Sequence, residues 1–235
     1  MIELDNITKR FADGQRSLTV LDHLSLRVEA GEFIAITGES GSGKTTLLSI
    51  LGTLLQPDEG RYLLHGEEVV LTTNSKLNDK GCYLRNKEIG FVYQDHRLLP
   101  QYTVWQNILL PTLAGKKAST QEEVKHALEL MEFTGIAPLK DSNVTQLSGG
   151  EQSRVAICRA LINHPSILLA DEPTGQLDAA NAQNIALLFQ NVNAKFHTTI
   201  IMATHSAEMA KAAKKTFTLI QGKLVASALD AVKTK

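Results

Sequence analysis

A glycine-rich stretch at residues 38–46, GESGSGKTT, points more directly to chemistry than any other part of the sequence. It satisfies the pattern G-x-x-x-x-G-K-[ST], in which glycines let successive backbone N–H groups turn toward a bound anion. Lys44 can reach the β- and γ-phosphates of a nucleoside triphosphate, and Thr45 can bind Mg²⁺. We therefore predict a triphosphate-binding loop made of Gly38, Glu39, Ser40, Gly41, Ser42, Gly43, Lys44, Thr45 and Thr46.

Two adjacent carboxylates end the apolar run ILLADE at residues 167–172. Because side chains alternate along a strand, Asp171 and Glu172 cannot occupy equivalent sites. One can hold the metal ion, and the other can orient or deprotonate the water that attacks the γ-phosphate. An acidic pair after a strand is usually only the start of a loop, so the catalytic interpretation depends on the triphosphate loop elsewhere in the chain.

The stretch LSGGEQ at residues 147–152 has two compatible interpretations. In the simpler one, Ser148 and Glu151 form a capping box that starts a helix. In the functional one, Ser148 and the N–H groups of Gly149 and Gly150 form a second anion site at that helix N-terminus.

Three apolar runs, at residues 33–37, 167–170 and 199–203, predict the strands that position these groups. The first run leads into the glycine-rich loop and is apolar enough to be covered on both faces, as in a parallel sheet. Residues 46–51 fit the helix that follows the loop, and helical stretches precede the other two strands. This alternation predicts an α/β fold around a parallel sheet.

Two further helices are predicted, one from Thr120 to Gly135 and one from Ser148 to about residue 162. In the first, Thr120 and Glu123 form a capping box, apolar residues recur at helical spacing, and Gly135 supplies a stop. The first sixty residues instead alternate apolar and polar side chains, which is typical of strands with one wet face.

Composition narrows the classes of protein that the chain can belong to. Its 235 residues include 24 basic and 25 acidic side chains, and this near-neutral balance makes nucleic acid a poor expectation as partner. No apolar run approaches the ~20 residues of a membrane-spanning helix. The two cysteines, Cys82 and Cys158, exclude a disulfide scaffold and favour a reducing, cytosolic compartment.

With LSGGEQ lying between the glycine-rich loop and ILLADEP, the sequence resembles the ATP-binding cassette family over essentially its whole length. The resemblance implies a P-loop NTPase core with an N-terminal antiparallel β subdomain and an inserted α-helical subdomain. Residues 1–235 would form a single nucleotide-binding domain, with the helical subdomain at about residues 95–152.

The resemblance also assigns roles to individual residues. Gln94 matches the Q-loop glutamine, which contacts the metal ion and the attacking water and senses a membrane partner. Asp171 matches the metal-binding Walker B aspartate, and Glu172 the catalytic glutamate. Asp178 matches the D-loop, which communicates between two subunits. His205 is similar to the switch histidine that contacts the γ-phosphate. The residues expected to act in catalysis are therefore Glu172, His205, Gln94 and Lys44.

Phe11 matches the family's aromatic residue that stacks on adenine. An aromatic side chain near the N-terminus is also often part of the core, so packing is the alternative interpretation. The family's cofactors are ATP and Mg²⁺.

In this family two subunits clamp two nucleotides head to tail, so the resemblance implies a homodimer that forms on ATP binding. It also implies a separate, permease-type subunit embedded in the membrane and a peripheral location on the cytoplasmic face of the inner membrane. Residues 98–100, Thr103 and Asn107 match family positions near the groove where that subunit docks. Tyr102 and Trp105 add contact area there, or alternatively pack inside the helical subdomain.

The stretch DEPTGQLD at residues 171–178 resembles the branch that contains lipoprotein-releasing, macrolide-export and cell-division ATPases. We therefore expect export, lipoprotein release or mechanical work across a membrane. One alternative is a cell-division ATPase that signals through a membrane partner without transport. Another is an ATPase acting on nucleic acid or ribosomes, which the single cassette and the lack of a long heptad insertion disfavour.

Overall fold

The computed structural model describes residues 1–13, 16–69 and 80–226. The strands are β1 (Ile2–Asp13), β2 (Arg16–Val28), β3 (Phe33–Thr37), β4 (Glu59–Leu64), β5 (Glu67–Glu68), β6 (Ile89–Val92), β7 (Ile167–Asp171), β8 (Thr199–Ala203), β9 (Lys215–Ile220) and β10 (Lys223–Ala226). The main α-helices are α1 (Lys44–Leu51), α2 (Val104–Leu109), α3 (Gln121–Thr134), α4 (Gly149–Leu161), α5 (Ala179–Phe196) and α6 (Ala207–Lys211).

The N-terminal strands form an antiparallel sheet in the order β2-β1-β4-β5. Its register pairs Ile2 with Val28 and Leu4 with Leu26, and all four side chains are buried. The intervening Glu3 is not buried, so the sheet has one apolar and one wet face, as the alternation of the sequence predicts.

A second sheet forms the centre of the molecule, in the order β10-β9-β3-β8-β7-β6. β3 pairs in parallel with β8 and β9, β7 pairs in parallel with β8 and β6, and β10 is antiparallel to β9. Phe33 and Ala35 pack into one apolar cluster, whereas Ile34 and Ile36 pack into another. Alternate residues of β3 therefore face different cores, which explains why its sequence is apolar throughout.

Helices α2, α3 and α4 occupy the chain between β6 and β7. The hydroxyl of Thr120 accepts a hydrogen bond from the N–H of Glu123 to start α3, which ends at Gly135 with φ 74°. Ser148 and Glu151 form the equivalent capping box on α4. Both helices are confirmed, as is the predicted α/β fold with its antiparallel sheet and inserted helices, while the subdomain limits at residues 95–152 stay a prediction.

The parallel strands β3, β8, β7 and β6 are neighbours and end at one edge of the central sheet. The glycine-rich loop follows β3, Gln94 follows β6, Glu172 follows β7 and His205 follows β8. In open α/β sheets ligands bind at this carboxyl edge. Among the described residues, no helix has the length and apolar character needed to span a membrane.

Candidate functional site

The glycine-rich loop needs its glycines because of both backbone conformation and space. Gly38, Gly41 and Gly43 have φ of 152°, 78° and 104°, a region that other residues rarely adopt. A Cβ on Gly38 would lie 2.7 Å from the carbonyl oxygen of Leu219, and one on Gly43 would lie 2.9 Å from Cγ1 of Val20. The loop therefore packs closely against β2 and β9, and it leads directly into helix α1.

The ammonium group of Lys44 lies at the centre of this loop. Its Nζ donates hydrogen bonds to the carbonyl oxygens of Gly38 at 2.8 Å and Glu39 at 3.0 Å. The same atom lies 3.9 Å from Oε1 of Glu172. Although only 8% of the lysine side chain is exposed, it lines an open cavity, so its charge is available to an anion there.

Asp171, at the end of β7, has the environment of a cation ligand. Burial raises the pKa of its carboxyl group, and a hydrogen bond with the Thr45 side chain opposes that shift. Oδ1 of Asp171 is buried and accepts no hydrogen bond from any described residue. Magnesium is bound by one or two carboxylates together with hydroxyl, water and phosphate oxygens, so Thr45, Asp171 and the side-chain oxygen of Gln94 fit this ion.

Glu172 is held in position by groups that follow β8. Nδ1 of His205 lies 2.8 Å from its Oε2, and the backbone N–H of His205 donates to the same oxygen at 3.1 Å. The N–H of Glu172 donates to the carbonyl oxygen of Ala203 at 2.9 Å. Its φ of 45° is unusual for a residue other than glycine, and strain of this kind is common at functional sites.

A cavity of about 570 Å³ brings several of the predicted residues together. Its lining consists of Val20, Ser40, Gly41, Gly43, Lys44, Thr45, Thr46, Gln94, Glu172 and His205. The site therefore presents one lysine, one carboxylate, one imidazole and the N-terminus of α1 to whatever occupies it, which is a combination suited to a triphosphate and its hydrolysis. Sequence reasoning missed Val20, since nothing local distinguishes it from other residues of a strand.

Other predicted residues lie outside this cavity. Ser148 is exposed, and its hydroxyl donates to Oε2 of Glu151 at 2.7 Å, which lowers the pKa of that carboxyl group. Asp178 is exposed and caps α5 by accepting from the N–H of Asn181 at 2.9 Å. Neither these residues nor Gly149 and Gly150 line the cavity of their own chain.

Phe11 lies on β1 with 40% of its surface exposed and also lies outside the cavity lining. The alternative that it packs in the core is therefore wrong. Nζ of Lys9 lies 5.6 Å from the centre of its ring. Stacking on adenine stays a prediction.

A separate groove of about 410 Å³ lies beside β6 and α4. Apolar residues such as Leu54, Leu110 and Pro111 line it together with polar and aromatic side chains, among them Arg85, Asn86, Tyr93, Arg97 and Asn163. The ring of Phe91 stacks on Tyr93 at 4.2 Å, and the guanidinium of Arg97 lies 4.0 Å above the Tyr93 ring.

Three of the residues expected near a docking groove have structural roles within the fold. Asn107 is fully buried, and its amide donates to the carbonyl oxygens of Leu99 and Thr103 while accepting from the N–H of Leu99, so it cannot touch a partner. Thr103 caps α2. Trp105 packs against the core, with Nζ of Lys140 4.4 Å from its ring, in agreement with the packing alternative.

Several known proteins are similar to this chain in sequence. A family model described as ABC transporter matches residues 21–175. The macrolide export ATP-binding/permease protein MacB of Syntrophobacter fumaroxidans is 43% identical over 216 residues, which are 92% of this chain and 30% of that protein. The lipoprotein-releasing system ATP-binding protein LolD of Bacteroides thetaiotaomicron is 41% identical over 224 residues, 94% of this chain and 98% of that protein. The chain thus spans roughly a third of MacB relatives and nearly all of LolD.

Solved structures of a related cassette have the same fold as this chain. The dimeric structure of MJ0796, described as a bacterial ABC transporter cassette, superposes with a TM-score of 0.84 at 35% identity and covers 95% of this chain and 96% of that one. A second dimeric structure of that cassette, in a post-hydrolysis state with ADP and Pi, gives the same TM-score at 34% identity and the same coverage of both chains.

Proposed function

The chain belongs to the ABC transporter family, and from that premise we propose that two copies of it close around two MgATP molecules and drive the work of a separate membrane subunit. It is an ATP-hydrolysing cassette close to the LolD and MacB type. The proposal of paired copies depends on one observation: the predicted site residues do not all line the same cavity of one chain. One chain gathers the phosphate loop, Glu172, Gln94 and His205 at one cavity but leaves Ser148 outside it.

Helix α4 follows the exposed Ser148, and the N–H groups of Gly149 and Gly150 in its first turn can bind an anion, because the first N–H groups of a helix have no partner within it. A second copy arranged head to tail would place its own Ser148, Gly149 and Gly150 against the triphosphate of the first. The dimeric solved structures of the related cassette support the pairing of two chains.

In the proposed reaction, the Glu172 carboxylate accepts a proton from a water molecule whose oxygen attacks the γ-phosphorus. The bond between that phosphorus and the oxygen bridging to the β-phosphate breaks, which releases ADP and inorganic phosphate. Lys44 stabilises the negative charge that develops on the transferred group, and His205 holds Glu172 in place. Magnesium, held by Thr45, Asp171 and Gln94, would neutralise phosphate charge.

For the biological role, we propose export, lipoprotein release or mechanical work across a membrane. The names of the relatives MacB and LolD, macrolide export and lipoprotein release, support the first two. The chain would act at the cytoplasmic face of the inner membrane. The groove beside β6 and α4, with its stacked Phe91, Tyr93 and Arg97, is the proposed docking surface for the membrane subunit. No nucleic-acid partner is proposed, because the chain carries no net excess of basic residues.

Subunit mixing tests the shared site. Lys44→Ala removes the phosphate lysine, and Ser148→Arg places a bulky cation where the second subunit must approach, so each variant alone should lose ATPase activity. A mixture should recover part of that activity, because a mixed dimer contains one site with both wild-type components. Full activity of Ser148→Arg alone, or no recovery on mixing two folded variants, would contradict the proposal.

Affinity purification from detergent-solubilised membranes tests the partner. The wild-type chain should retain an integral membrane protein that Arg97→Glu does not retain, while ATP binding of that variant is unchanged. Recovery of ribosomes or nucleic acid with no membrane protein would overturn the transport function.

A further inference from the structure

The loop that follows Gln94 contains two strained residues that helix α4 holds in place. His96 and Arg97 have φ of 56° and 47°, in the left-handed region that residues other than glycine seldom adopt. His96 is also 4% exposed, although it lies in a loop. A strained backbone persists only where neighbouring groups compensate for its energetic cost, so the contacts of this loop must hold it in this conformation.

Helix α4 supplies these contacts at two levels. Nε2 of His96 lies 2.7 Å from Oγ of Ser153. Further along α4, the guanidinium of Arg159 donates to the carbonyl oxygen of His96 at 2.6 Å and to that of Arg97 at 2.7 Å. Three hydrogen bonds therefore fix the loop to the helix.

The direction of the His96 hydrogen bond follows from its partner. Oγ of Ser153 donates its proton to the carbonyl oxygen of Gly149 at 3.0 Å. With its proton used in this way, Oγ accepts the hydrogen bond from His96, which assigns the Nε2–H tautomer to the ring. Burial lowers the pKa of His96, which keeps the ring neutral at neutral pH. Two hydrogen bonds in series thus join the Gln94 loop to the first turn of α4, which contains Gly149 and Gly150.

We propose that His96 is a positioning residue: through Ser153 it fixes the first turn of α4 relative to Gln94, and so sets where Ser148–Gly150 meet the triphosphate of the facing subunit. This inference depends on the shared site proposed above. Neither His96 nor Ser153 lines the phosphate cavity of its own chain, so loss of their contact should weaken pairing of two chains and leave binding of ATP to one chain intact.

The experiment uses the full chain with Glu172→Gln, which should hold ATP without cleaving it. Light scattering gives the MgATP concentration at which half of the chains are dimeric, and ATP affinity is measured at low protein concentration. Adding Ser153→Ala should raise the half-dimerisation concentration about three- to tenfold, the effect of losing one buried hydrogen bond, with ATP affinity unchanged. The matched control is Thr134→Val, since the Thr134 hydroxyl also contacts α4, but at Sγ of Cys158 instead of at Ser153.

Variants of His96 separate positioning from simple stability. His96→Leu should shift dimerisation as Ser153→Ala does, whereas His96→Gln, whose amide nitrogen can reach Ser153, should restore it. The double variant His96→Leu with Ser153→Ala should be no worse than either single variant, because both remove one interaction. If Ser153→Ala fails to fold, the pair His96→Leu and His96→Gln decides.

An unchanged half-dimerisation concentration in Ser153→Ala or His96→Leu, or a shift in Thr134→Val of the same size, would overturn the role of His96. Failure of Glu172→Gln alone to dimerise at saturating MgATP would instead overturn the shared-site function.

Discussion

Nδ1 of His205 lies 2.8 Å from Oε2 of Glu172, although 33 residues separate the two along the chain. The other oxygen of that carboxylate faces Nζ of Lys44 at 3.9 Å. The parallel order of β3, β8 and β7 creates this arrangement, because it ends all three strands at one edge of the sheet. The carboxylate is therefore fixed between the phosphate lysine and an imidazole, where a base for the attacking water is needed.

Glu172→Gln should lower the rate of ATP hydrolysis by at least about a hundredfold, because the amide keeps the shape of the side chain but cannot accept the proton. ATP binding should be retained, and an ATP-held dimer should appear by size-exclusion chromatography. Glu208→Gln, an exposed acid on α6, is the matched control and should hydrolyse ATP normally. A Glu172→Gln chain that turns over ATP at the normal rate would exclude Glu172 as the base.

The elements with strong local signals were predictable from the sequence. The capping boxes of α3 and α4 involve residues three apart, and the apolar run of β3 reflects burial on both faces. The glycine-rich loop was predictable for the same reason, since its pattern is short and its flanking strand and helix are adjacent.

Features that depend on distant contacts were not predictable. β9 lies beside β3 although residues 38–214 separate the two strands along the chain, and Val20 of β2 reaches the phosphate loop from another sheet. Asn107 was expected near a docking groove because its position matches a family pattern, and its amide instead completes the hydrogen bonds of a loop. His96 contacts Ser153 across 57 residues, a relationship that no periodicity contains.

Gly43→Ala should abolish tight ATP binding. The alanine Cβ would lie 2.9 Å from Cγ1 of Val20 and 3.1 Å from the Val20 carbonyl oxygen, at a φ of 104° that alanine rarely adopts. The loop must therefore shift, and we expect at least about a tenfold loss of affinity, or roughly 1.4 kcal/mol. Isothermal titration calorimetry with MgATP measures this loss.

Gly135→Ala is the control for that measurement. Gly135 also has a positive φ, 74°, but nothing lies within 4 Å of its added Cβ. It should lower the melting temperature by a few degrees, because the left-handed conformation costs about 1 kcal/mol for alanine, and should bind ATP normally. Equal loss of ATP affinity in both variants would show that general destabilisation of the fold, and not a specific change in the phosphate loop, explains the effect.

Asp171→Asn should stabilise the nucleotide-free chain while removing its response to magnesium. The carboxylate of Asp171 is buried and its Oδ1 lacks a hydrogen bond from the described part of the chain, so its charge is unfavourable at neutral pH. A gain of about 1 kcal/mol should raise the melting temperature by about 2–4 °C. MgATP should raise the melting temperature of the wild-type chain more than ATP alone does, and this difference should disappear in Asp171→Asn. Asp141→Asn, at an exposed position, should change neither; a destabilised Asp171→Asn chain would contradict this account.

The ring of His126 on α3 stacks on that of His164 at 3.8 Å and meets the edge of Phe196 at 6.4 Å. Burial, and then the nearby His164, lower the pKa of His126, although a hydrogen bond to the Leu161 backbone and the carboxylate of Glu129, 3.9 Å from Nδ1, act in the opposite direction. The unfolded chain therefore binds a proton at this position more readily than the folded chain does. The free energy of unfolding must fall as pH decreases below the ordinary histidine pKa of 6.5.

His126→Phe keeps a ring in the stack and removes the titrating group. Between about pH 8 and about pH 5.5, its free energy of unfolding in urea should fall by about 1 kcal/mol less than that of the wild type. Because both chains contain the same carboxylates, the contribution of these groups to the pH dependence cancels when the two chains are compared. His197→Asn, outside the stacked pair, should follow the wild type, because asparagine tolerates the φ of 53° at that helix end. If His126→Phe loses as much stability as the wild type over this range, the stacked pair does not contribute to the acid sensitivity of the fold.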